Sequence, residues 1–212
     1  MLNRYARAAV TRILTPVAKL LLRLGISPDV VTVVGTLGVC LGALVFFPRG
    51  ELLIGVLVIT AFVFSDTIDG VMARQMGRSS KWGAFLDSTL DRVGDAAIFS
   101  GLAIWYFQGG DDGVMALLAL ACLVLGSVVS YARARAEGLG LRANVGIAER
   151  ADRLVAALVT TGLVGLGLPE VVLKVVLALL AVASLITILQ RIQIVHQQVV
   201  AAEATGNAAA AS

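Results

Sequence analysis

Apolar residues run through this chain in long blocks with short polar breaks between them. The blocks fall at 30–47, 52–73, 85–107, 114–136, 152–168 and 171–192. A bilayer core of about 30 Å takes about 20 residues of helix to cross, so each block has the length of one crossing or close to it. The breaks carry residues that end helices: Pro48-Arg49-Gly50, Gly77-Arg78-Ser79-Ser80, Gly109-Gly110-Asp111-Asp112, the stretch from Glu137 to Asn144, and Gly167-Leu168-Pro169-Glu170. The pattern predicts an all-α integral-membrane fold, one domain of six transmembrane helices over residues 25–200. Ahead of it, Leu2, Ala6, Ala9, Val10, Ile13, Leu14, Val17 and Leu21 recur at helical spacing, with Arg4, Arg7, Thr11 and Lys19 interspersed. This predicts an amphipathic helix lying in the membrane interface over residues 1–24. From Ala201 onward the residues are small and polar, and 201–212 reads as a disordered tail.

Composition supports the membrane reading. Of the 212 residues 58% are hydrophobic and only 15% charged, more apolar surface than a soluble domain of this length can cover. Cys40 and Cys122 both lie inside apolar blocks, which argues against a disulfide framework, and two cysteines are too few for a thiolate metal site. The basic N-terminus lacks the compact apolar core and small-residue cleavage site of a removable signal.

The distribution of charge matters more than the net value of +3. Fifteen of the seventeen Lys and Arg precede the first block, fall at the second-to-third and fourth-to-fifth connections, or close the last block; only Arg49 and Lys174 lie on the other side. Such asymmetry places both termini in the cytoplasm of a multi-pass plasma-membrane protein. Trp82, Trp105 and His196 read as interfacial residues.

The chemistry concentrates between Ser65 and Asp95. Ionised side chains are costly inside membrane helices and are usually functional there. Asp66 and Asp69 are three residues apart and share one helical face, as do Asp87 and Asp91, four apart. The short connection makes their helices antiparallel, so the four carboxylates converge at the cytoplasmic end. Mutual repulsion and desolvation forbid four bare anions. Carboxylate-only ligation suits hard cations, Mg2+ or Mn2+, and four carboxylates can hold two ions, an arrangement fit for phosphoryl chemistry. Gly70, Ala73 and Gly83 leave room for a bulky ligand against the backbone, although small residues also serve helix packing. Arg74 is placed to clamp a phosphate. Asp95 continues the face of Asp91 and reads as a supporting polar contact.

Asp66, Asp69-Gly70, Ala73-Arg74, Gly83, Asp87 and Asp91 together resemble the signature of the CDP-alcohol phosphotransferase family, whose eight specified positions are matched without a substitution over 26 residues. The resemblance implies a homodimer, a cytoplasm-facing cavity open to lipid and two metal ions on the four aspartates. It further implies that Asp91 is the general base on an acceptor hydroxyl while CMP departs. Pro28-Asp29-Val30-Val31-Thr32 is similar to the family's Pro-Asn-x-x-Thr element, which approaches the cytidine diphosphate, with Asp in place of the usual Asn. The same residues also make a good helix start. Ser80 is a further phosphate contact by resemblance.

The fourth-to-fifth connection resembles that of the actinobacterial phosphatidylinositol phosphate synthases within the family. That implies CDP-diacylglycerol as donor, myo-inositol phosphate as acceptor, and an acceptor-phosphate site at Arg133, Arg135 and Arg153, with Arg191 a weaker candidate. For any one of these arginines the positive-inside distribution is a sufficient explanation. Glycerol 3-phosphate, the acceptor of phosphatidylglycerophosphate synthases, is the nearest alternative. An ion-coupled transporter also places carboxylates in membrane helices, but it would need broken helices near the midplane.

The charge asymmetry generates a first prediction. In a background with Cys40 and Cys122 replaced, Ser79→Cys should react with an impermeant thiol reagent in inverted vesicles and stay unlabelled in intact cells. Labelling of intact cells would place this connection on the outside.

Overall fold

The computed structural model describes residues 14–63, 65–76, 80–147 and 149–210, with the side chains of 65–67 and 205–210 excepted. Among the described residues all regular structure is helical, and two compact units, Met1–Asp111 and Asp112–Ser212, divide the chain.

In the first unit, helix α1 covers described residues 14–23; the rest of the expected interfacial helix lies outside the described residues. Ala18 is fully buried against Val71 and Met72, with Leu21 and Leu22 packed beside them. The described part of α1 therefore packs on protein as well as carrying exposed apolar residues such as Val17 and Leu20. Gly25, at φ +77°, turns the chain sharply into α2 (Pro28–Leu41). That helix starts where its sequence dictates: the Ser27 hydroxyl accepts from the Val30 amide at 3.3 Å, Pro28 opens the first turn, and Asp29 faces the positive helix end.

Beyond Leu41 the same rod continues as a π turn (Gly42–Phe46) and a 3-10 turn (Phe47–Arg49). Helices α3 (Leu52–Val63), α4 (Ser65–Gln75) and α5 (Lys81–Gln108) follow, and α2 contacts all three. A Cβ at Gly101 of α5 would collide with the Ala43 carbonyl, so glycine allows α5 to press against the π turn.

The second unit comprises α6 (Gly113–Gly138), α7 (Arg150–Gly165) and α8 (Glu170–Ala210), with α8 packed on both others. The Cys122 thiol donates to the Leu177 carbonyl at 3.2 Å, as a buried structural cysteine does. Asp112 caps α6 by accepting from the Met115 amide at 3.0 Å, and it is clasped by Lys174 of α8.

Leu37, Leu57, Leu117, Val155, Leu179 and Leu189 are among many large apolar side chains left exposed, as a lipid-facing surface requires. Four of the stretches expected to cross a membrane are long and apolar enough to do so: Pro28–Arg49, Leu52–Gln75, Gly113–Gly138 and Glu170–Ala204. The other two expected stretches fall short for identifiable reasons. The first half of α5 carries Asp87, Asp91, Arg92 and Asp95, and α7 has only 16 residues, about 24 Å. At the C-terminus the backbone of α8 is helical through Ala210, across much of the segment expected as a tail. Its alanines favour that extension.

The Asp112 carboxyl titrates below its ordinary range, first because Lys174 donates to it and second because the Met115 amide does. A depressed carboxyl contributes stability in full above the unfolded value of about 3.9 and loses it as pH falls through the folded value. Asp112→Asn should thus lower the melting temperature slightly at pH 7 in low salt. The difference from wild type should close on acidification below about pH 4. A difference that persists in acid would assign the loss to capping alone.

Candidate active site

Asp69 is a carboxylate only 7% exposed in a helix of the first unit. Burial of such a group is unfavourable unless it is hydrogen-bonded, and α2 supplies the partner. Thr32, one turn into that helix, donates its hydroxyl to Asp69 Oδ2 at 2.5 Å. The hydroxyl also lies 3.1 Å from the Pro28 carbonyl, the habitual back-contact of a helical threonine. Thr32 thus ties the start of α2 to the middle of α4.

Around this tie lies a cavity of about 550 Å³. Its walls are the cap and first turns of α2 (Ser27, Pro28, Asp29, Thr32), one face of α4 with the residue that follows it (Asp69, Gly70, Ala73, Met76) and the cap and start of α5 (Ser80, Trp82, Gly83, Ala84, Asp87). Two helix N-termini therefore border one cavity, and such ends attract anions through their exposed amides and dipoles. Ser80 caps α5, its hydroxyl accepting from the Gly83 amide at 2.8 Å. Trp82 Nε1 donates to Asp29 Oδ2 at 3.0 Å and so joins the two N-termini. A Cβ on Gly70 would stand 3.5 Å from Arg74 Nη1, so the guanidinium hangs beside Gly70 although Arg74 does not line the cavity.

Most of the residues expected at a CDP-lipid site come together here: Asp29, Thr32, Asp69, Gly70, Ala73, Ser80 and Gly83. Val30 and Val31 do not line the cavity; Val30 is exposed, and Val31 packs beside Val71 and Met72. Ser27, Met76 and Ala84 were not anticipated, and Trp82 was expected only as an interfacial residue.

The carboxylates form a graded set. Asp69 lies within electrostatic reach of both Asp87 and Asp91. Asp87 lines the cavity, and Asp91 sits one turn further along α5. Arg92 Nη2 is 3.7 Å from both Asp91 and the buried Asp95, which gives Asp95 a charge partner shared with Asp91. Asp66 is on α4 one turn before Asp69, and its side chain lies outside the described residues.

Among the described residues no three His, Cys, Asp or Glu side chains are grouped to hold a metal ion, and the Asp66 side chain is not one of those described. The donors nevertheless fit a hard divalent cation. They are all oxygens, and among the described residues no Lys or Arg lines the cavity to neutralise them.

The expected acceptor arginines belong to the second unit. Arg153 of α7 is 2% exposed and reaches the Gly126 carbonyl of α6 at 3.4 Å. Arg191 of α8 is 4% exposed, donates through Nε to the Val145 carbonyl at 3.0 Å and through Nη1 to the Val129 carbonyl. Arg133 of α6 is exposed, pairs with Glu137 at 2.9 Å and lies within electrostatic reach of Arg191. Because Gly126, Val129 and Arg133 share one face of α6, Arg153, Arg191 and Arg133 form a row along it. Arg135 is exposed and stands about 200° around the helix from Arg133, away from that row.

Residues 25–149 match the family model for CDP-alcohol phosphatidyltransferases. The chain belongs to the CDP-alcohol phosphatidyltransferase family. Among curated relatives of this family member, the phosphatidylinositol phosphate synthase of Streptomyces avermitilis is 55% identical over 100% of this chain and 89% of its own length. That of Cutibacterium acnes is 48% identical over 90% and 96%. The crystal structure of the Mycobacterium tuberculosis phosphatidylinositol phosphate synthase with CDP-DAG bound superposes with a TM-score of 0.83 at 44% identity, covering 87% of this chain and 94% of that one. The same mycobacterial enzyme in complex with manganese and citrate gives 0.82 at 44% identity, over 86% and 88%.

Within this phosphatidyltransferase the Thr32–Asp69 bond is open to direct test. Thr32→Val keeps the shape and removes the donor, leaving a buried carboxylate without that partner. The loss should be about 1.5–3 kcal/mol of stability, read as a lower melting temperature in detergent. Thr32→Ser should retain most of it. A Thr32→Val protein as stable as wild type would show that Asp69 is satisfied otherwise.

Proposed function

We propose that this chain transfers the phosphatidyl group of CDP-diacylglycerol to myo-inositol phosphate, releasing CMP and forming phosphatidylinositol phosphate. The observation that carries the reading is the cavity between two helix N-termini. It gathers seven residues expected at a CDP-lipid site in a chain 55% identical to a phosphatidylinositol phosphate synthase.

The diphosphate of the donor fits between the starts of α2 and α5, where backbone amides and the Ser80 hydroxyl are at hand. Gly70 and Gly83 leave the backbone open to it, and Arg74, hanging beside Gly70, supplies charge. Asp66, Asp69, Asp87 and Asp91 are the residues to hold two divalent ions, Mg2+ with Mn2+ as a substitute. When bound, such ions offset charge on the phosphoryl oxygens.

Asp91 takes the proton of the acceptor hydroxyl. The acceptor oxygen then bonds to the phosphorus next to diacylglycerol, and the bond from that phosphorus to the bridging oxygen breaks, so that CMP leaves with the oxygen. Thr32 keeps Asp69 from turning away. Arg133, Arg153 and Arg191 form the core of the acceptor-phosphate site, with Arg135 on the other side of α6 from their row. The reading extends to the setting: six crossings, the half-polar α5 and the short α7 among them, both termini and the site in the cytoplasm, and a homodimer.

The deciding experiment supplies purified enzyme in lipid nanodiscs with CDP-diacylglycerol, Mg2+ and equal amounts of myo-inositol phosphate and glycerol 3-phosphate, and identifies the lipid formed. Phosphatidylinositol phosphate is expected. Phosphatidylglycerophosphate as the main product would replace the acceptor, and undiminished turnover in excess EDTA would remove the metal. Arg133 is the arginine to vary first, because it is exposed and the fold should tolerate its loss. Arg133→Gln should raise the acceptor KM about ten- to a hundredfold while leaving that for CDP-diacylglycerol near wild type. Equal losses for both substrates would assign Arg133 a structural role.

A further inference from the structure

The connection from α6 to α7 is laced to α8 at three levels. Gln198 grips both backbone groups of Arg142: its Oε1 accepts from the Arg142 amide at 3.0 Å, and its Nε2 donates to the Arg142 carbonyl at 2.6 Å. Lower down, Arg191 donates to the Val145 carbonyl. Lower still, the Ile147 amide donates to the buried hydroxyl of Thr187 at 3.2 Å. Residues 142, 145 and 147 thus descend along α8 as 198, 191 and 187 do. Gly146, at φ +145°, makes the last step possible, because a Cβ there would collide with Thr187.

Hydrogen bonds hold this strap at each level, and its apolar contacts are few: Leu141 is half-buried. Ala143 is buried, but Leu139, Val145 and Ile147 are exposed. Between strap and helix a cavity of about 350 Å³ remains, bordered by the glutamines Gln190, Gln193 and Gln197. Where apolar contact is sparse, the loss of one pin frees a larger share of the segment. Gln198 is seven residues from Arg191, about 10 Å along the helix, and so acts on it through the strap.

We propose that Gln198 is a positioning residue for acceptor binding: by clamping Arg142 it holds the strap in register, and the strap's Val145 carbonyl then fixes the Arg191 guanidinium. This rests on the reading of Arg191 as an acceptor-phosphate contact. The clamp withholds one Arg191 donor for orientation and leaves the planar fork presented in one direction, which is how preorganised arginine binds phosphate well.

The test compares wild type, Gln198→Ala and Gly146→Ala as full-length enzymes in nanodiscs, by amide hydrogen exchange and by steady-state kinetics. In both variants the amides of 139–147 should exchange faster. Acceptor KM should rise about three- to tenfold, as for one lost hydrogen bond, with kcat and the KM for CDP-diacylglycerol within about twofold. Gln198→Glu, which still accepts from the Arg142 amide but cannot donate to its carbonyl, should fall between wild type and alanine.

Faster exchange with an unchanged acceptor KM would overturn the proposal, as would unchanged exchange or an equal rise in both KM values. Failure of the underlying functional reading looks different, since wild type itself would then form no lipid from inositol phosphate. If glycerol 3-phosphate proves to be the acceptor, the same split is read on its KM.

Discussion

A carboxylate within an apolar helix bundle has to be solvated by something, and for Asp69 part of that solvent is the hydroxyl of Thr32. Much of the first unit follows from that bond. It fixes α4 against the first turns of α2, and so sets where the two helix N-termini stand relative to the acidic face. The Trp82–Asp29 bond closes the arrangement from the α5 side. Polar groups are thereby confined to one end of the unit, while lipid-facing positions such as Leu37 and Leu57 stay apolar. The same concentration of charge explains why α5 lacks the composition of an ordinary membrane helix: its first half serves the cavity and its second half, from Ala96, serves the core and the bilayer.

The second unit solves the opposite problem. Its buried ions are cations, and α6 meets them with the backbone carbonyls of Gly126 and Val129. Gly126 has no side chain, so the Arg153 guanidinium can lie against it; an added Cβ would stand 3.1 Å from Arg153 Nε. Val129 offers its carbonyl to Arg191 one turn on. Guanidinium groups retain donors after one or two such bonds, which a lysine ammonium would do with far less geometric control. Burial and ligand recognition are therefore compatible in arginine.

Much of this was legible in the chain itself, and the reasons are physical. The aspartate spacings of three and four residues specify shared helical faces wherever the segment is helical, so the carboxylate set could be read without coordinates. Pro28 marked a helix start because capping chemistry is local, whereas Ser80, read as a break residue and phosphate contact, proves also to cap α5. The Trp82–Asp29 bond could not be read, since it joins residues 53 apart through the mutual placement of two helices. Nor could the burial of Arg153 and Arg191, because counting positive charges by loop locates an arginine on a side of the membrane and says nothing of its depth. The π turn after Leu41 has no sequence mark beyond small residues. Hydropathy blocks also made α5 and α7 look alike with the rest, although a polar first half and a short length set them apart.

Helix α8 is a single rod of 41 residues, about 60 Å long and roughly twice the thickness of a bilayer core. It is fastened near both ends of its packed length, by Lys174 to Asp112 and by Gln198 to Arg142. The fasteners are 24 residues apart, about 36 Å. A rod held at two such points resists pistoning and rotation about its axis, because a slip of one residue turns each side chain by about 100° and pulls it from its partner. In any motion of the second unit these fasteners favour carrying α8 as an indexed shaft, its angular setting kept along its packed length.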